Sequence, residues 1–208
     1  NEYDDRYAKT LYNIAIAYNG LGDFNNQEQY SVNSLEIEKR IYGQSSPLLI
    51  KTYSSLIIAY IELQEYEKSL AYANIALNIA GSNPVSANST DLADLYNNLG
   101  VLNMLLADYS KAKIYLEKSQ SIYQINQLDL NENYFNLVNC LAITYSTLGF
   151  SEKSNEYYEK GIDLALSHNS SLAYNNINSY SIILGNNGNK EKGESLLYSA
   201  LVRAKTNL

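Results

Sequence analysis

One position recurs along the whole chain and limits what it can fold into. Tyr18, Tyr60, Asn103, Tyr145 and Leu184 stand late in five successive apolar segments, at spacings of 42, 43, 42 and 39 residues. A fixed period of this length marks supersecondary units that cannot bury an apolar face alone and therefore stack into a solenoid. The apolar residues around each marker follow helical spacing. Between Thr52 and Ala80, Tyr53, Leu56, Ile57 and Tyr60 share one helical face. A polar break follows at Gln64–Glu65, and Tyr66, Ser69, Leu70, Ala73, Ala76 and Leu77 make a second face. No stretch alternates with period two between turn signals, so no strand is predicted.

Each unit reads as helix A, a short turn and helix B. The expected units are about 3–45, 46–86, 87–129, 130–169 and 170–208, within a single repeat domain over 1–208. Outside the second unit, helix A is predicted near Tyr3–Gly20, Ala87–Leu106, Leu130–Leu148 and Ser171–Gly185. Helix B is predicted near Phe24–Tyr42, Asp108–Gln124 and Ser151–Ser167, and from the Asn186–Asn189 turn to about Lys205. Gly43 serves as a C-terminal cap and Pro47 opens the next helix. With only 2 Pro and 10 Gly in 208 residues, long helices are favoured over a turn-rich β fold. The expected fold class is all-α: a right-handed superhelical solenoid of five antiparallel helix pairs.

Charge and rare residues narrow the function. The net charge of −7 and pI near 4.8 argue against nucleic acid as a partner, which needs a basic field. The longest apolar runs, Leu48–Ile50 and Leu56–Tyr60, are too short for a membrane span. The chain begins with Asn, so a processed product or an excised piece, with a targeting segment removed, is an expectation to carry. The lone Cys140 excludes an intrachain disulfide and fits a reducing, cytoplasmic compartment. The lone His168 lacks the neighbours of a metal site and reads as an exposed helix-end residue; Cys140 reads as a buried inert thiol. No cofactor is expected. The 21 tyrosines are put down to the base composition of the coding sequence. Asn88-Ser89-Thr90 and Asn169-Ser170-Ser171 match the glycosylation sequon, a frequent chance match in so Asn- and Ser-rich a chain.

The repeated pattern resembles the tetratricopeptide repeat. The first unit offers Leu11, Ile14-Ala15, Tyr18, Gly22 and Phe24. The second offers Tyr53, Leu56, Tyr60, Tyr66, Ala73 and Ala76, and the third Tyr96, Leu99-Gly100, Tyr109 and Ala112. The fourth offers Val138, Leu141-Ala142, Tyr145 and Gly149; the fifth is weakest, with Ile177, Gly188, Gly193 and Ala200. The long period, Ile41-Tyr42-Gly43-Gln44-Ser45-Ser46-Pro47 and Tyr96-Asn97-Asn98-Leu99-Gly100 are similar to the longer-helix variant of kinesin light chains and related bacterial proteins. Gln27 stands where a small residue is expected, Asn103 replaces a tyrosine, and Ser151 replaces an aromatic.

The resemblance implies that the A helices line a concave groove for a peptide or protein segment, and that two positions per unit face it. The first row is Tyr12, Ser54, Asn97, Asn139 and Asn178. The second, one helical turn later, is Ile16, Ile58, Val101, Ile143 and Ile182. Asn19, Met104 and Ser146 continue the wall. Aliphatics would desolvate ligand side chains, and asparagine amides can both donate to and accept from a peptide backbone. Only Lys9, Lys51 and Asp94 come near this wall. Family members that bind chaperone tails clamp a carboxylate with cations; Tyr12, Ile16, Ser54 and Ile58 at the matching positions supply none. The remaining charges, Glu36, Glu38, Lys39 and Arg40 among them, read as a solvated convex face.

The function expected is therefore a non-catalytic interaction scaffold. Two alternatives stay open: a peptide-sensing domain of a larger signalling protein, or an accessory domain of an effector or enzyme. The final helix keeps an apolar face through Leu196, Leu197, Leu201 and Val202, so self-association or cover by a missing segment is expected there.

Overall fold

The computed structural model describes residues 2–82, 89–128, 132–167, 172–186 and 189–206, and every regular element among them is helical. The chain divides into two compact units, residues 1–126 and 127–208. The first holds three helix pairs: α1 (Glu2–Gly20) with α2 (Phe24–Tyr42), α3 (Ile50–Glu62) with α4 (Tyr66–Ser82), and α5 (Thr90–Leu105) with α6 (Tyr109–Ile125). The second holds two: α7 (Glu132–Thr147) with α8 (Ser151–Ser167), and α9 (Leu172–Asn186) with α10 (Lys190–Thr206). The predicted helix starts at Ala87, Leu130 and Ser171 lie outside the described residues, as do His168, Asn88 and Asn169.

Local chemistry sets the helix ends. The carboxylates of Asp23 and Asp108 accept the backbone N–H of Asn26 and Lys111, and the Ser89 hydroxyl accepts that of Leu92. Each satisfies a donor that the first helical turn leaves open. Gly43 ends α2, its N–H donating to the Lys39 carbonyl. Pro47 opens a single 3-10 turn, Pro47–Leu49, and α3 starts only at Ile50.

A backbone signature repeats at the A-to-B turn. Gly22, Gln64, Ala107 and Gly149 all adopt positive φ, at 72°, 60°, 60° and 82°, and each lies four residues after the marker position. Glycine meets this left-handed demand without a Cβ penalty, whereas Gln64 and Ala107 meet it under strain. Ala107→Gly is therefore expected to stabilise the first unit by about 0.5–1 kcal/mol, read as a higher urea midpoint at unchanged slope. An unchanged or lower midpoint would count against strain at this turn.

Tyrosines clasp three of the pairs at a constant sequence offset. Tyr18 stacks on Tyr30, Tyr60 on Tyr72 and Tyr145 on Tyr157, with ring centroids 5.4, 5.5 and 5.4 Å apart. The third pair lacks the marker tyrosine. There Asn103 turns back to donate to the Leu99 carbonyl at 2.7 Å, and Tyr115 stacks on Tyr96 instead. Buried serines add a second tie: Ser69 donates to the Ile57 carbonyl at 3.1 Å and Ser154 to that of Ala142 at 3.0 Å. At the corresponding place in α2, Gln27 reaches across to α3, its amide donating to the Ser55 carbonyl at 3.0 Å. In α8, Ser151 lacks the aromatic, but Phe150, one residue earlier, packs edge-on against Tyr145.

The cores follow from these pairs. In the first unit α3 lies between its neighbours, and Ile50, Tyr53, Leu56 and Ile57 are fully buried or nearly so; each such side chain contributes about 1.5–3 kcal/mol. In the second, Ala142, Tyr158, Ile162, Ile177, Tyr180 and Leu184 form the core, with Tyr158 stacked on Tyr180 across α8 and α9.

Candidate functional site

In the first unit the A helices meet in series, α1 against α3 and α3 against α5. Helical spacing sets Tyr12, Ile16 and Asn19 on one face of α1, Ser54 and Ile58 on α3, and Asn97, Val101 and Met104 on α5. The wall is open at α1, where Ile16 is exposed, and recessed at α3 and α5, where Ser54 and Asn97 show only 6% and 8% of their surface. Tyr12, Asn19, Ile58, Val101 and Met104 are half-buried. In the second unit Asn139 and Ile143 on α7 are half-buried, while Asn178 and Ile182 on α9 are exposed, Ile182 by 57%.

Three members of the first row share an uncommon state. Ser54 Oγ, Asn97 Oδ1 and Asn139 Oδ1 are buried and have no hydrogen-bond partner. They stand in the same repeat register, one each on α3, α5 and α7. Leaving such a group unpaired costs about 1–3 kcal/mol. Gln27 Oε1, Thr144 Oγ1 and Tyr158 OH are also unpaired but fall at other registers.

The electrostatics of the first wall correct the sequence reading. Glu38 was expected on a solvated convex face; it is 1% exposed, clamped between α2 and α3. Its carboxylate accepts from Thr52 Oγ1 at 2.6 Å and lies 4.0 Å from Lys51 Nζ. Burial outweighs both partners and raises its pKa above the ordinary 4.5. Lys51 Nζ also sits 5.0 Å from the centre of the Tyr12 ring. The Tyr12 hydroxyl is pushed up to about 12, first by burial and then by the nearby Asp91, Asp94 and Glu38 carboxylates. Asp94 in turn accepts from the Tyr123 hydroxyl, and Asp5 accepts from Lys9 at 2.7 Å and from Tyr42. Asp91 thus adds to a wall on which only Lys9, Lys51 and Asp94 are expected, with Glu38 buried on α2 behind it. Asp91 was visible as the residue one turn before Asp94.

The outer faces of the B helices behave as expected, with exposed pairs such as Lys68–Glu65 and Lys111–Asp108. Such pairs contribute about 0–1 kcal/mol. Cys140 is partly exposed as a residue, but burial pushes its thiol up to about 11, away from the reactive thiolate. Among the described residues no group of three His, Cys, Asp or Glu could hold a metal ion, and no helix is long and apolar enough to cross a membrane.

These features define a helix-pair repeat protein with an inner wall of A helices. Residues 93–126 match the tetratricopeptide repeat family, and the fold of the chain is similar to that of solved proteins with repeats of that kind. The fold is similar to that of BtubC from P. vanneervenii (TM-score 0.80, 19% identity, covering 99% of this chain and 87% of that one). It is also similar to the TPR-like repeats of a Podosopora anserina protein described as a kinesin light chain (TM-score 0.78, 14% identity, covering 100% and 99%). A Rap protein complexed with competence and sporulation factor matches with a TM-score of 0.67 at 20% identity, covering 97% of this chain and 59% of that one. No curated protein matches the chain.

Proposed function

We propose that the chain is a non-catalytic interaction module that takes a peptide or protein segment on its A-helix walls. The observation that carries this reading is the unpaired Ser54 Oγ, Asn97 Oδ1 and Asn139 Oδ1 at one repeat register. Asparagine amides rotate about a broad terminal torsion, so a small turn presents each acceptor to an N–H of an extended segment and recovers the cost of leaving it unpaired. Ile58, Val101 and Ile143, half-buried beside them, desolvate ligand side chains. Tyr12, Ile16, Asn19 and Met104 widen the same wall in the first unit, and Asn178 and Ile182 in the second.

Selection from a random peptide library, followed by calorimetry, tests the reading. Asn97→Ala and Asn139→Ala are each expected to weaken a selected peptide about 5- to 10-fold, the loss of one buried hydrogen bond. Binding that is indifferent to both changes refutes this use of the wall.

The likeness to a longer Rap chain complexed with competence and sporulation factor favours a second reading, a sensing domain within a longer protein. The lone cysteine and the fold fit a cytoplasmic setting. The exposed Leu197, Tyr198 and Val202 on α10 are the surface where self-association or a further segment would be covered.

A further inference from the structure

We infer that the wall of the first unit around Tyr12, Ser54, Asp91 and Asn97 selects segments carrying a cationic, donor-rich side chain, an arginine or a lysine. The inference rests on the peptide-binding reading above and names the chemistry of its ligand.

Asp91, Asp94 and the buried Glu38 act on the Tyr12 hydroxyl, and the two lysines of the wall, Lys9 and Lys51, are both engaged. Lys9 is paired with Asp5 at 2.7 Å. Lys51 is shared between Glu38 and the Tyr12 ring. The Tyr12 hydroxyl, with Lys51 5.0 Å from its ring centre, is held up first by burial and then by Asp91, Asp94 and Glu38. The field at the open end of the wall is therefore negative.

Independently of charge, the two recessed polar side chains of the wall leave acceptors unused. Ser54 Oγ and Asn97 Oδ1 are more than nine-tenths buried and unpartnered. Asn97 lies one turn beyond Asp94 on α5, and Ser54 one turn beyond Lys51 on α3, so both belong to the face that carries the charges. A guanidinium offers five N–H donors and no acceptor, and an ammonium three. Either complements a recess of carboxylates and bare acceptors. An acidic segment would meet repulsion and find too few donors.

The test uses an array of acetylated and amidated heptapeptides of random sequence, probed with the full chain at low and at physiological salt. Arginine and lysine are expected to be enriched among binders. Replacing that arginine by its neutral isostere citrulline should weaken binding at least 10-fold, and Asp91→Asn about 5- to 10-fold, with unchanged thermal melting. Asp91→Lys should shift the preference toward Asp- or Glu-containing peptides. Binders that need Asn97 but show no basic preference and ignore Asp91→Asn overturn this inference and leave the module reading intact. Absence of any binder overturns both.

Discussion

Replacing Gly100 by Ala is expected to cost the first unit about 2 kcal/mol, a fall of roughly 4–8 °C in its melting temperature. A methyl group at Gly100 would lie 2.4 Å from Leu116 Cδ2 and 2.5 Å from Cγ. Leu116 is fully buried on α6, so it has no free space into which to turn. Alanine's better helix propensity returns at most about 1 kcal/mol. Gly193 provides the contrast. A methyl group there would meet the Ser181 carbonyl oxygen at 2.9 Å, a smaller overlap with an atom that cannot rotate away. Gly193→Ala is expected to spread α9 from α10 and cost about 1 kcal/mol. Urea unfolding of the three chains checks both values. A Gly100→Ala chain as stable as the parent would show that α5 and α6 can separate without loss.

Glu38→Gln is expected to stabilise the protein by roughly 1–2 kcal/mol at pH 8 and to lose that advantage as the pH falls. The Glu38 pKa is raised in the folded chain, so the folded state binds its proton more tightly than the unfolded state does. Wild-type stability therefore gains as pH falls through the raised value, and the gain levels off below the unfolded value near 4.5. A glutamine is neutral throughout, still accepts from Thr52, and contributes no such slope. The two stability curves should separate as the pH rises from 4.5 through the raised value and hold a constant gap above it. Curves that run parallel across this range would show that Glu38 does not titrate abnormally.

Most of the helix boundaries were legible because the repeat compares the chain with itself. Phe24–Tyr42 and Ser151–Ser167 were read to the residue, and the Leu99-Gly100 contact was visible as a small residue within an apolar face. Periodicity records which side of a helix is buried, but not what lies across from it. Hence the ring partners Tyr30, Tyr72 and Tyr157 went unread, and the tyrosine content was attributed to coding composition. Glu38 was misplaced for a related reason. It was taken as part of the charged run Glu36–Arg40, yet residues in such a run point to different sides of a helix. Spacing of three and four residues back from Glu38, through Ser34 and Leu35 to Ser31 and Gln27, traces the buried face of α2.

The two rows are legible as positions along helix A, because each lies at a fixed distance from the marker position. Their depth is not. Ser54 and Asn97 sink into the wall because α3 and α5 have neighbours on more sides than α1, whereas Ile16 and Ile182 stay exposed. Asp91 was overlooked because it precedes the part of helix A that carries the repeat pattern.

The tyrosine and serine ties of α3 with α4 and of α7 with α8 join residues only 12 positions apart in sequence, as with Tyr60 to Tyr72 and Ile57 to Ser69. These ties are made by nearby parts of the chain, which keeps their loop-closure entropy small, while Ser34 to Ala8 and Ser119 to Ala93 close the far ends of their pairs. A block of about 42 residues carries both halves of its own clasp. Recombination that adds or removes one such block changes the length of the A-helix row while leaving every remaining clasp whole. For a gene encoding this architecture, reach is a quantity that can evolve in whole repeats, independently of the chemistry at any one of them.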